Sequence, residues 1–447
     1  MGRALSISRR GTLPFFLLLL LVAAASQAQA PKLSAAVYDD ETQLANLLWQ
    51  RAADVIAARA ARATMESELV RSRLFPNPTL DAEWGTIPLG RSNPPSLRRP
   101  LSNVPSYTAG LSELFEIGKR GPRQAAAQAD VERAQHEAMA ILGDRFFATL
   151  EQIAVMAMNQ QRASVLDEQI ENGLELLGLN QARAAKGEIA QLDVEVTEVE
   201  QARLVASRDA ALSDMAQAQA ECSALLAAAC PLFESGEAAR RFLVASATLA
   251  VPGEWSAQSQ ERRPDIQALT AAIRSAEERA TLARRQILPD VTMRFSYRYD
   301  EFIESGNQRN SVSVGAEVPL PILDQGQADL LAALSEKQRA ERLRQGLVST
   351  AAEVLSAAMR RRDLVRRRAE HLDAAIERAR TVRDAMGAAQ VAGGTSLIEV
   401  LLARRAYQEL LRERIDLDAD AVEATLAVRR TTGMFPRPTA DDGASLP

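Results

Sequence analysis

The chain has 447 residues; 47% are hydrophobic but only 4% aromatic, 25% are charged, and the formal net charge is −5. That apolar share excludes wholesale disorder, and the acidic balance, about −8 once Arg3, Arg9 and Arg10 are removed with a leader, excludes a basic nucleic-acid-binding surface. Two histidines and two cysteines argue against a dedicated multi-ligand metal centre or a disulfide framework.

In chain order, residues 1–28 read as a secretory signal. Arg9 and Arg10 form its basic start, an apolar run follows from Leu13 to Ala25, and Ser26-Gln27-Ala28 offers small residues for cleavage after Ala28. The run is shorter than the roughly 20 apolar residues of a spanning helix. The rest reads as two halves in the same order. A helical stretch (44–74, then 265–287) meets an X-Pro break at Phe75-Pro76 and Leu288-Pro289. Each break opens a strand, a polar loop, a second strand and a very long Ala-rich helix. Those helices run over about 123–186 and 327–392, then turn at Gly187 and at Gly393-Gly394 into return helices. Past the turns, Gly187, Asp193 and Val194 stand 206 positions before Gly393, Glu399 and Val400. This order reads as a tandem duplication.

The expected division is therefore a signal peptide over 1–28, a first repeat over 29–231, a second over 232–435 and a flexible tail over 436–447. The first repeat carries strands at about 79–87 and 106–116 and a helical hairpin at about 122–229. The second carries strands at about 290–300 and 310–319 and a hairpin at about 326–432. Cys222 and Cys230 can be bridged only if the helix ends between them, as eight helical residues rise about 12 Å. Pro231 is a candidate end.

The strands alternate. Val291, Met293, Phe295, Tyr297 and Tyr299 oppose Thr292, Arg294, Ser296 and Arg298, and Val312, Val314, Ala316 and Val318 oppose Ser311, Ser313, Gly315 and Glu317. Leu80, Ala82 and Trp84 face away from Asp81 and Glu83, while Tyr107, Ala109 and Leu111 oppose Thr108, Gly110 and Ser112. A half-buried sheet in water has the same period. Three features favour a membrane: strands of bilayer-spanning length, aromatics at Trp84, Tyr107, Tyr297, Tyr299 and Phe302 where a girdle would lie, and polar loops at 88–104 and 300–309. Four strands cannot close a barrel, and open edges cannot sit in lipid, so copies would have to share one.

The chain resembles the TolC-like outer-membrane efflux proteins. The resemblance rests on Phe75-Pro76-Asn77-Pro78-Thr79-Leu80, Phe115-Glu116-Ile117-Gly118-Lys119-Arg120, Arg263-Pro264-Asp265, Leu288-Pro289-Asp290, Val318-Pro319-Leu320-Pro321-Ile322 and the two glycine-to-acid turns. The Asn-Pro that opens the first strand, and the Gly-Lys-Arg that closes the strand after it, are most similar to the CzcC-type members of heavy-metal efflux systems. The resemblance implies a mainly helical chain with a small transmembrane β part. Three copies would supply twelve strands to one outer-membrane barrel and twelve long helices to a periplasmic tunnel. Implied partners are a periplasmic adaptor, an inner-membrane resistance-nodulation-division pump and outer-membrane lipid, with no cofactor and no enzymatic step.

The resemblance also implies roles. Asp193 and Glu399 match acids that line the narrow periplasmic entrance, where repeated like charges favour cations. Leu402 stands where some members carry a second acid, and Thr395 where some carry an Arg partner. Gly187, Glu188, Ile189, Gly393, Gly394, Ser396 and Leu397 are candidates for the hairpin tips and adaptor contact. Arg294 and Arg298 would face the barrel lumen, and Lys119 with Arg120 reads as a solvated pair near the inner headgroups. His136 and His371 stand isolated, and no catalytic constellation is visible. The rival reading is a secreted periplasmic coiled-coil scaffold whose sheet packs on itself.

Overall fold

The structure, a computed structural model, describes residues 33–85, 106–251, 260–300, 308–392 and 394–439. The expected leader, the loop at 88–104, Phe302, Gly393 and the tail beyond 439 lie outside the described residues. The chain is mainly helical with four antiparallel strands. Its elements are α1 (Glu41–Arg51), α2 (Ala53–Arg73), β1 (Thr79–Gly85), β2 (Ser106–Phe115), α3 (Arg120–Ala185), α4 (Gln191–Leu226), α5 (Gly236–Ala247), α6 (Pro264–Arg284), β3 (Val291–Asp300), β4 (Asn310–Glu317), α7 (Gln327–Val391) and α8 (Leu397–Thr432). At 1.5 Å per residue the 66 residues of α3 and the 65 of α7 each extend about 100 Å. No helix among the described residues is long and apolar enough to cross a membrane.

The helix ends follow local chemistry. Helix α2 gives way at Leu74, whose backbone is extended (ψ 144°), because the following Phe75 precedes Pro76. Pro264 opens α6 at its first turn, where its missing N–H costs nothing. The stretch 44–74 is not one helix, however. Ala52 is extended (ψ 123°) and separates α1 from α2.

Packing groups the chain into two compact units, 1–44 with 152–243 and 45–151 with 244–447. These cut across the sequence halves, since a repeat is a relation of order and a unit one of contact.

In the first unit, α4 returns along the later part of α3, and Asn180 Nδ2 donates to Thr197 Oγ1 at 3.0 Å with both residues buried. Here α4 stops at Leu226, because Ala227 takes a left-handed conformation (φ 51°). The chain then reverses, bringing Cys222 and Cys230 to a Cα separation of 6.0 Å, and they form a disulfide. The break thus comes four residues before Pro231. The reversal is held by Cys230 N–H to Ser223 Oγ at 3.0 Å and Gln219 Nε2 to Cys230 O at 2.8 Å. Beyond it, Tyr38, Phe233 and Phe242 form an aromatic cluster, and the Tyr38 hydroxyl donates to Pro231 O at 2.9 Å. Helix α5, which the pattern did not single out, supplies Phe242 and the buried Leu243.

In the second unit, α7 packs against both α6 and α8. Lys337 meets Glu277 at 2.9 Å across the α7–α6 contact, and Arg361 meets Glu423 at 2.8 Å across α7–α8. Buried Asp130 of α3 takes Ser275 Oγ at 2.8 Å and Arg279 at 2.6 Å from α6. The sheet of this unit runs β1-β2-β3-β4, every neighbour antiparallel, with β1 and β4 as its edges.

Candidate functional site

Three places in the fold hold the residues singled out from the sequence. The first two are the hairpin turns. After α3, Gly187 takes φ +75°, a conformation open to glycine at no steric cost, so that its N–H and that of Glu188 cap Ala184 O and Arg183 O at 2.9 and 3.0 Å. Glu188 folds back to Arg183 at 3.4 Å. Ala190 then starts α4 with no side-chain cap, and half-buried Asp193 stands at the third helical position. Ile189 is half-buried and Leu192 exposed.

After α7, Gly394 N–H caps Ala389 O at 2.9 Å, and Ser396 starts α8 with a complete capping box. Glu399 holds the third helical position, as Asp193 does, but its carboxylate is occupied. It accepts from Ser396 N–H at 2.9 Å, from Ser396 Oγ at 3.1 Å and from the Thr395 hydroxyl. Those donors, the Thr395 hydroxyl first and then the Ser396 backbone and side chain, hold the carboxyl below the usual range for Glu. Thr395 is thus wired into its own turn. Leu397 is half-buried, and Ile398 and Leu402 are exposed. One turn further on, half-buried Arg404 is disfavoured as a cation by burial and then by Arg383, which itself lies 4.3 Å over the Tyr407 ring. Sequence reasoning passed over Arg404, since nothing local separates it from Arg405.

The third place is the sheet. Its register aligns Leu80, Leu111, Phe295 and Val314 in one rung and Ala82, Ala109, Tyr297 and Val312 in the next, all on one face. Trp84, Tyr107 and Tyr299 form an aromatic row at the loop end, with successive centroids 6.3 Å apart. Among the described residues no element covers this face: Leu80 is 77% exposed and Val314 70%. On the polar face, Arg294 of β3 reaches over β2 to Asp81 of β1 at 2.6 Å. The reach depends on Gly110, where an added Cβ would stand 2.6 Å from Asp81 Oδ1. Arg298 lies 3.4 Å from Thr108 Oγ1 on the same face, and Ser296 and Ser313 share a hydrogen bond at 2.7 Å.

At the helix end of the sheet the expectation of a solvated Lys119–Arg120 pair is corrected. Lys119 Nζ bonds Asp290 at 2.9 Å, while Arg120 stacks 3.5 Å from the Phe75 ring and donates to Arg73 O. Arg123 grips Glu116, and Arg285 donates to Gly118 O. The motifs Phe115–Arg120 and Leu288-Pro289-Asp290 are therefore the two sides of one strand-to-helix joint. Among the described residues no group of three or more His, Cys, Asp and Glu could hold a metal ion. His136 is half-buried, and burial lowers its pKa.

Residues 255–434 match the family model described as outer membrane efflux protein. The cobalt-zinc-cadmium resistance protein CzcC of Cupriavidus metallidurans is 26% identical over 287 residues, which cover 62% of this chain and 61% of that relative. Among solved structures the chain is similar to CusC, whose crystal structures concern folding and transmembrane channel formation (TM-score 0.73, 14% identity, 91% of this chain and 95% of that one). It is also similar to the CmeC outer membrane channel of Campylobacter jejuni (TM-score 0.70, 15% identity, 89% of this chain and 87% of that one). At these identities the structures speak to the fold.

Proposed function

We propose that this chain, which carries the sequence signature and the fold of the outer membrane efflux proteins, is the outer-membrane channel of a tripartite efflux system. Three copies contribute twelve strands to one barrel in the outer membrane of a Gram-negative cell, and their hairpins extend it as a periplasmic tunnel. A periplasmic adaptor and an inner-membrane resistance-nodulation-division pump deliver cargo, which the channel conducts passively. Heavy-metal cations are the proposed cargo, on the strength of what the CzcC relative's name says. The two halves of each copy are read as a tandem duplication.

The observation that carries this reading is the sheet. Among the described residues nothing covers its apolar face and no further strand pairs with its two edges, and open edges of this kind cannot be satisfied in lipid. Sharing a barrel between copies pairs the edges and gives the apolar face to lipid. Arg294 and Arg298 then line the lumen. Asp193 and Glu399 form the periplasmic gate, Asp193 with the freer carboxylate and Glu399 as a rigidly capped acid. Gly187, Glu188, Ile189, Gly393, Gly394, Ser396 and Leu397 form the tips that meet the adaptor.

Purified protein in planar bilayers should give single-channel conductance from particles of three-copy mass. Replacing Asp193 and Glu399 together by Ala should raise the closed-state conductance or weaken cation preference. A water-soluble single copy without conductance would refute the channel, whereas unchanged selectivity in the double variant would remove those acids from the gate.

A further inference from the structure

One residue breaks the apolar face of the sheet. In β2 the side chains of Tyr107, Ala109, Leu111, Glu113 and Phe115 share a face, since a strand repeats every two residues. The register sets Glu113 opposite Met293 of β3, which in turn stands opposite Ala316 of β4. Among the described strand residues Glu113 is the only charged side chain on this face.

The acid does not mark the end of the apolar band. Leu111, Phe295 and Val314 form the rung on its loop side, and Phe115 with Val291 forms the rung on its helix side. Ile117, 44% exposed, follows beyond the strand. Glu113 itself is exposed and makes no hydrogen bond or ion pair with any described residue. Arg294, the cation of β3 next in sequence to Met293, projects from the opposite face, where Asp81 holds it. Because β2 and β3 are the inner strands, a strand added at either edge leaves Glu113 uncovered.

Depth narrows the partner. Glu113 stands two residues, about 7 Å, from the helix end of β2 at Phe115, and six residues, about 20 Å, from Tyr107 in the aromatic row. A carboxylate on a face wetted by lipid needs water reached along the strand, or a cation that the lipid itself brings. A headgroup ending in a primary ammonium brings N–H donors for a charge-assisted hydrogen bond, whereas a trimethylammonium brings none.

We infer that Glu113 is a headgroup site for a zwitterionic phospholipid of the helix-side leaflet. Its carboxylate accepts from the primary ammonium, and the acyl chains run toward the loop end over Leu111, Phe295 and Val314. The inference rests on the shared-barrel reading and deepens it, by naming which lipid chemistry the outer wall of the barrel selects and at which residue.

The test uses the full chain, assembled in detergent and exposed to equimolar phosphatidylethanolamine and phosphatidylcholine with identical acyl chains. Native mass spectrometry then counts the phospholipid retained. The wild type should favour phosphatidylethanolamine about fivefold, the upper end of what an exposed ion pair yields, with N-methylated headgroups falling stepwise between the two lipids. Glu113→Gln should bring the two lipids to equal retention. Glu317→Gln, which removes a carboxylate from the polar face one rung away, should leave the preference intact. The methylation series needs no variant, so it decides the matter even where Glu113→Gln does not assemble. Equal retention by the wild type, or a preference that survives Glu113→Gln, would overturn the site. A preference abolished by EDTA would assign a bridging divalent cation and overturn the ammonium contact. Either result from three-copy particles leaves the shared barrel standing. Single-copy particles that retain no phospholipid would overturn the barrel reading, and the site with it.

Discussion

At the two hairpin turns the third position of the return helix carries an acid, yet one preceding residue separates their chemistry. Ser396 completes a capping box with Glu399, whereas Ala190 leaves Asp193 without one. Ser396→Ala should cost about 1 kcal/mol locally, read as roughly fivefold faster amide exchange in the first turn of α8. Ala190→Ser should slow exchange at the start of α4 by supplying the missing acceptor. The lowered pKa of Glu399 sets a sign for pH dependence. A carboxyl whose folded pKa lies below its ordinary 4.5 contributes fully above that value, and the contribution is lost as pH falls through the folded value. Protection of the Glu399 and Val400 amides, corrected for intrinsic rates, should therefore hold at neutral pH and decline only below about 4.5, while Glu399→Gln should remove the dependence. The acid and the glycine before it were legible from spacing. That Glu399 is spent on its own turn was not, because Thr395 donates only once the helix has begun.

Among the elements, the end of α4 depends on a reversal that no residue type announces. Ala227 in a left-handed conformation is uncommon, and the helical pattern continues past it in sequence. The disulfide closes a loop of eight residues in separation, and chain-entropy arguments give such a loop about 2.5 kcal/mol. Replacing Cys222 and Cys230 by Ser should lower stability by that order in detergent denaturation and expose the segment around Pro231 to protease, with the fold otherwise retained. In the sheet, period-two alternation was readable in β3 and β4 from side chains alone. The register was not, so neither the Arg294–Asp81 bridge nor the need for Gly110 beneath it could be read. The joint at Lys119 shows the same division. Its residues stood out as a motif, but a lysine beside an arginine reads as solvated until Asp290 arrives from the other half of the chain.

For the whole molecule, the channel proposed above makes the bilayer the discriminating solvent for the apolar face, which no described residue covers. Phe295→Arg places a cation mid-strand on that face and should cost about 2–4 kcal/mol of folding in lipid, whereas Ser296→Arg on the opposite face should cost little. Equal effects, measured as the folded fraction recovered in vesicles, would mean that the two faces do not meet different solvents. The amino-acid sequence by itself determined the long helices, the alternating strands, the proline breaks and the acids after each turn. Helix and strand periods, and the restriction a proline puts on the residue before it, act between near neighbours and so are written locally. Only the tertiary structure decided who meets whom: Arg294 with Asp81 across 213 positions, Lys119 with Asp290 across 171, Cys222 with Cys230 through an unannounced reversal. Such contacts depend on register and on where a helix stops: a shift of one residue in register moves a side chain to the opposite face of the sheet, and one residue more of helix turns the chain's exit by about 100°.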